Sequence, residues 1–189
     1  MRFTTTDRSN ASSQLPSKGE ISRAFSNHGM ELTWLAEFLS DDSLIASVCV
    51  ADARDLVGDI NNDEGGQKHS QWEPVAAVVL SVLDLKFGRI AELSSAYEHF
   101  DVFSPENPPL SVELMQLMVT ESHLVQSQLD CLCRFVLVLC GLARYSATET
   151  ALMLGVSTRA VEAAYARALE TMEIMYCQAV LDSCDCAAA

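Results

Sequence analysis

Apolar residues recur at helical spacing from Glu20 to about Leu56. Trp34, Leu35, Phe38 and Leu39 form a first stretch, and Leu44, Ile45, Val48, Ala51 and Leu56 a second. The polar Ser40-Asp41-Asp42 separates them, which predicts two helices with a tight break. Asn61-Asn62 and Gly65-Gly66 mark Gly58 to Gln71 as a loop. Pro74 suits the first turn of a further helix, whose apolar pattern runs through Ile90 and Leu93 to Tyr97. The run Ser104-Pro105-Glu106-Asn107-Pro108-Pro109 cannot continue a helix, because proline lacks the N–H donor and constrains its predecessor. From Val112 to about Val180 the helical pattern returns, and no run alternates as a strand does. The expected fold is all-α: two small helical domains joined by a proline-containing linker, the second a three- or four-helix helix-turn-helix domain. The expected division is a disordered polar tail over 1–19, a helical domain over 20–100, a linker over 101–111, a helix-turn-helix domain over 112–180 and a tail over 181–189.

The most specific segment is Tyr145 to Met172. Ser146 followed three residues later by Glu149 is a capping box and predicts a helix start. Gly155 suits the left-handed position that ends that helix, and Ser157 can cap a second one beginning at Thr158. Ala151, Gly155 and Val161 stand at helix-turn-helix spacing. A small residue lets the helices cross, a glycine turns the chain, and a β-branched residue locks the second helix onto the first. A helix over about Leu129 to Leu142 would form the third wall. The same spacing would also arise in a helical hairpin with no role at DNA.

Charge narrows the function. The chain carries 12 Lys+Arg against 26 Asp+Glu, a formal charge of −14. Nonspecific polyanion binding needs cations to displace condensed counterions, so any contact to nucleic acid must be local or lent by a partner. Seven cysteines, an odd count, suit reduced thiols and a cytoplasmic protein. No apolar run approaches the ~20 residues that span a bilayer, and the polar, Ser- and Thr-rich N-terminus lacks a secretory segment, so no membrane association is expected.

The stretch Phe135-Val136-Leu137-Val138-Leu139, Ser146-Ala147-Thr148-Glu149, Gly155-Val156-Ser157 and Arg167-Ala168-Leu169-Glu170 resembles region 4 of extracytoplasmic-function sigma factors. Phe38-Leu39, Asp41-Asp42 and the run Ala46 to Ala53 resemble their region 2, which docks on the polymerase clamp. The resemblance covers about Leu32 to Thr171. It implies RNA polymerase core and promoter DNA as partners, an anti-sigma protein as a further one, and no cofactor. It implies that the helix Thr158–Met172 enters a major groove. Thr158, Arg159, Glu162, Tyr165 and Arg167 lie on that helix, and Arg144 precedes the motif; these six are the candidate DNA-binding residues. Asp41, Asp42, Asp52 and Asp55 are the candidate polymerase-binding residues.

The charge pattern departs from the family's. Glu162 is acidic, whereas family members commonly carry Lys or Arg near that position. Between Asp130 and Met175 four arginines face five acids, where a DNA-binding domain is usually basic. Two or three phosphate contacts are expected, with a salt slope of about −2 to −3. From Glu31 to Glu73 there are ten acids and two bases. The family's promoter-melting segment would fall near Lys68, His69 and Trp72, where a single aromatic offers one stacking platform. A second expectation therefore stands beside the first: a degenerate, sigma-like protein-interaction module that has lost promoter recognition.

Other chemistry has little support. Cys131 and Cys133 are two apart and point to different faces of a helix, so core packing explains them and Cys140 better than a metal. Cys177, Cys184 and Cys186 lie near the C-terminus, and the four histidines have no ligand partner at suitable spacing. Met115, Met118, Met172 and Met175 are expected in the core. No Gly-x-Ser-x-Gly elbow, phosphate-binding glycine loop or His-Glu-x-x-His occurs, and no enzyme is expected.

Overall fold

The computed structural model describes residues 27–60, 74–87, 94–97 and 110–186. The expected tail over 1–19, most of the loop Gly58–Gln71 with Lys68, His69 and Trp72, and the linker up to Pro109 lie outside the described residues. Among those described the fold is all-α, with no strand.

Helix α1, Gly29–Ser40, ends at the predicted break. Asp41 takes the left-handed conformation (φ 57°), and its N–H donates to the Glu37 carbonyl. Asp42 then caps α2, Ser43–Ile60, its Oδ1 accepting from the N–H groups of Leu44 and Ile45 at 2.9 and 3.1 Å. One acid ends a helix and the next starts another, so the turn needs no glycine. Ala46, Cys49 and Ala53 give α2 a stripe of small buried residues on which the larger Leu35, Phe38 and Leu39 of α1 can pack closely. Helix α3, Pro74–Val82, widens into a π-helical turn over Leu83–Phe87. It is buried almost all round, the signature of a central helix.

The second half holds five helices: α4 (Val112–Thr120), α5 (Ser122–Gln128), α6 (Cys131–Val136, continued as a π-helix over Leu137–Leu142), α7 (Ala147–Leu154) and α8 (Thr158–Cys186). Side chains cap four of their starts, that of α8 being Ser157. Ser111 accepts from the Leu114 N–H, Asp130 from the Cys133 N–H, and Ser146 from the Glu149 N–H. The stretch Leu132–Cys140 is buried throughout except at Arg134. That explains why α6 packs against α8, α7 and also α1. Met118, Met172 and Met175 are buried in this core as expected. Helix α8 runs on to Cys186, past the point at which the sequence pattern placed a tail at 181.

Buried residues of both halves belong to one hydrophobic core. Side chains of the second half complete the end of α1. Gln126 Nε2 donates to the carbonyls of Glu37 and Phe38 at 2.8 and 3.0 Å, and Arg134 Nη1 donates to Phe38 at 3.3 Å. A helix C-terminus presents unpaired carbonyls and negative potential, so an amide and a guanidinium suit it. Within α1, Trp34 stacks on Phe38 with ring centroids 5.6 Å apart. Gln126→Leu should lower stability by about 1–2 kcal/mol, because Glu37 keeps the Asp41 N–H as a donor. Urea unfolding followed by fluorescence and by circular dichroism should give coincident transitions, since the halves share a core; two separated transitions would show that they unfold independently.

Candidate nucleic-acid interface

The turn between α7 and α8 forms by local hydrogen bonding. Ser146 Oγ accepts from the Glu149 N–H while the Glu149 carboxylate accepts from the Ser146 N–H at 2.8 Å, closing the capping box. Gly155 sits at φ 67° and ends α7, its N–H donating to the Ala151 carbonyl. Ser157 Oγ accepts from the Ala160 N–H at 3.0 Å and starts α8. Ala151 and Val161 are both buried at the crossing. Helix, turn, second helix and the apolar wall of α6 therefore make the tri-helical unit that the spacing predicts.

The second helix presents a different outer face from the expected one. Ala160, Val161, Ala163, Ala164, Tyr165, Ala168 and Met172 are buried. Tyr165, expected at the groove, is only 1% exposed and cannot touch DNA. Its ring lies under Gly141 of the π-helical turn, where a Cβ on that glycine would stand 3.3 Å from the phenol oxygen. The absent side chain at 141 and the small Ala164 and Ala168 leave room for one large ring between the helices. A periodicity reading of α8 alone does not reveal that gap. Burial pushes the Tyr165 phenol up to about 12, so it stays neutral.

Arg167 is exposed, but its guanidinium lies over the Tyr97 ring, 5.9 Å from the centroid. Tyr97 is itself buried, donates to the Asp130 carboxylate and sits 3.2 Å from Cys133 Sγ. Burial first, and then the Asp130 carboxylate, push its phenol far above the usual range. Arg167 thus flanks the outer face rather than standing on it. That face, at three- and four-residue spacing, is Arg159, Glu162, Ala166, Glu170 and Glu173. It carries one guanidinium against three carboxylates, so its field repels phosphate over most of its length. Thr158 and Glu162 are half-buried and Arg159 is exposed. Arg144 is exposed at φ 65° in the turn after α6, where the N–H of the next residue, Tyr145, donates to Leu139. The structure brings Thr158 and Arg159 together at the N-terminus of α8, and leaves Tyr165 and Arg167 on other faces.

The four candidate polymerase-contact acids are exposed. Asp41 and Asp42 build the α1–α2 break. Asp52 Oδ2 accepts from Ser81 Oγ of α3 at 2.7 Å. Asp52 and Asp55 nevertheless share one face of α2 with Leu44, 75% exposed, and Val48, 50% exposed. Sequence reasoning named the acids and missed the two apolar residues aligned with them. The signal was the spacing 44, 48, 52, 55, which continues the helix period onto the outer side.

Cys49, Cys133 and Cys140 are buried and pack as small apolar residues. Cys133 Sγ donates to the Ala164 carbonyl at 3.3 Å, and Cys140 Sγ lies 3.3 Å from Thr150 Oγ1. Burial pushes the Cys131 thiol up to about 11 and that of Cys133 up to about 12, the opposite of an activated nucleophile. No cluster of His, Cys, Asp and Glu among the described residues could hold a metal ion, and no described helix is long and apolar enough to cross a membrane. The chain matches no family model, no curated protein and no solved structure.

Proposed function

We propose that this chain is a sigma-factor-like protein that acts through protein contacts, with RNA polymerase core as its partner, and whose helix-turn-helix is no longer an autonomous promoter reader. One observation carries the reading: the outer face of α8 holds Glu162, Glu170 and Glu173 against the single Arg159, while Tyr165 is inside the core. A reader helix needs phosphate contacts to position it and free side chains to reach base edges. The apolar and acidic stripe Leu44, Val48, Asp52 and Asp55 on α2 supports a protein partner instead. An anti-sigma protein is the other class of partner that such a scaffold would meet.

A second reading, full transcription initiation with promoter DNA as partner, is favoured by the formed turn. Thr158 and the exposed Arg159 lie at the N-terminus of α8, where backbone N–H groups and the helix dipole attract a phosphate. In that case polymerase supplies the missing cations and Arg144 adds a further phosphate contact. Purified chain and core polymerase separate the two. The first reading expects a stable complex, weakened about tenfold or more by Asp52→Lys with Asp55→Lys, and no promoter-directed transcript. It also expects negligible DNA binding by the free chain at low salt and a measurable gain for Glu162→Lys, which turns a repulsive contact into an attractive one. Promoter-directed transcripts from the reconstituted complex would establish the second reading. Failure to bind core polymerase would exclude both.

A further inference from the structure

Helix α8 is far longer than a helix-turn-helix needs. Met175 is buried, and the six side chains described after it, 176–181, are all exposed. Ile174 (54% exposed), Cys177 and Leu181 (65% exposed) stand at i, i+3 and i+7 and form one ridge. Tyr176 and Val180, four apart and also exposed, flank it. A single exposed leucine is ordinary, but a helical ridge of anchors is the pattern by which helices are recognised.

The charge around the ridge has one sign. From Ala168 to Ala189 the sequence holds Glu170, Glu173, Asp182 and Asp185 and no Lys, Arg or His. The last turn of α8 contains no basic residue to offset the negative end of the helix dipole. Two copies of this segment laid together would bring carboxylates against carboxylates with no cation between them. A partner helix with an apolar stripe bordered by Lys and Arg meets both features at once.

We propose that the ridge Ile174–Cys177–Leu181 is a docking surface for a basic amphipathic helix of another protein. The surface lies beyond the helix-turn-helix and stands apart from the polymerase reading. It remains if that reading fails.

The test uses the full chain and a fluorescent synthetic helix bearing a leucine stripe bordered by lysines, with a counterpart in which every lysine is glutamate. By anisotropy the lysine helix should bind at least about tenfold more tightly than the glutamate helix. The double variant Ile174→Ser, Leu181→Ser should weaken binding about tenfold with an unchanged thermal melt, since both positions are exposed. The same variant should bind core polymerase as the parent chain does, which separates this surface from the α2 stripe. Equal binding of the lysine helix to parent and variant would mean mere attraction to an acidic protein, and would overturn the proposal. A concentration-dependent dimer abolished by the double variant would assign the ridge to a second copy and overturn it as well. So would a gain in peptide affinity on deleting residues 1–26, which would mean that the chain covers its own ridge.

Discussion

Tyr165→Ala is expected to lower the unfolding free energy by about 3–5 kcal/mol, the range for deleting a large buried aromatic. The ring is 1% exposed and lies against Gly141 of the π-helical turn, so alanine there removes a fully buried ring from the core. Tyr165→Phe keeps the ring and should cost only about 1 kcal/mol. Urea unfolding of the two variants measures the difference. A residue acting at the DNA groove would behave in the opposite way: alanine would leave stability unchanged and alter only DNA affinity. Because position 165 lies on the helix that the sequence nominates as a reader, this experiment decides whether α8 is oriented as described. A melt unchanged by Tyr165→Ala would mean that the helix is rotated about its axis.

The second large effect belongs to Gly155→Val, for which a loss of about 1–3 kcal/mol is expected. A Cβ added at 155 would meet nothing within 4 Å, so crowding contributes no part of the cost. The backbone sits at φ 67°, a conformation that a β-branched side chain resists. Gly155→Asn places a residue tolerant of that conformation at the same point and should recover most of the loss. If valine and asparagine proved equally harmless, the turn would not take the left-handed form. Thermal melts of the three proteins distinguish these outcomes. Loss of stability here would also splay α7 from α8, so the valine variant should weaken whatever binds across the helix-turn-helix.

The two predictions differ in how far the sequence could have reached them. The turn is legible because its chemistry is local. Ser146 and Glu149 are three residues apart, Ser157 caps a helix three residues on, and Gly155 answers to its own dihedral angle. Each bond joins near neighbours, so residue type and spacing are enough. The α1–α2 break at Asp41 and Asp42 was readable for the same reason.

The side on which Tyr165 falls was not readable in this way. On α8 alone, Tyr165 and Glu162 both border an alanine-rich stripe. Only the packing of α6, with Gly141 at the crossing, opens space for a ring on one side. The position of Arg167 likewise depends on Tyr97, a residue from before the proline-rich segment, which Asp130 and Cys133 hold in place. The ties from Gln126 and Arg134 to the carbonyls of Glu37 and Phe38 are of the same kind. A helix end leaves carbonyls unpaired, yet nothing in the local sequence says which distant amide will answer them.

The sequence by itself determined that the chain is helical, where its turns and caps fall, and that it carries a strong negative charge, because these follow from spacing and composition. The tertiary structure alone decided which face of α8 is outward, that Tyr165 lies in the core and Arg167 beside Tyr97, and that the two halves share one core. The physical reason is that orientation and convergence depend on side-chain volumes and hydrogen-bond partners far apart in the chain.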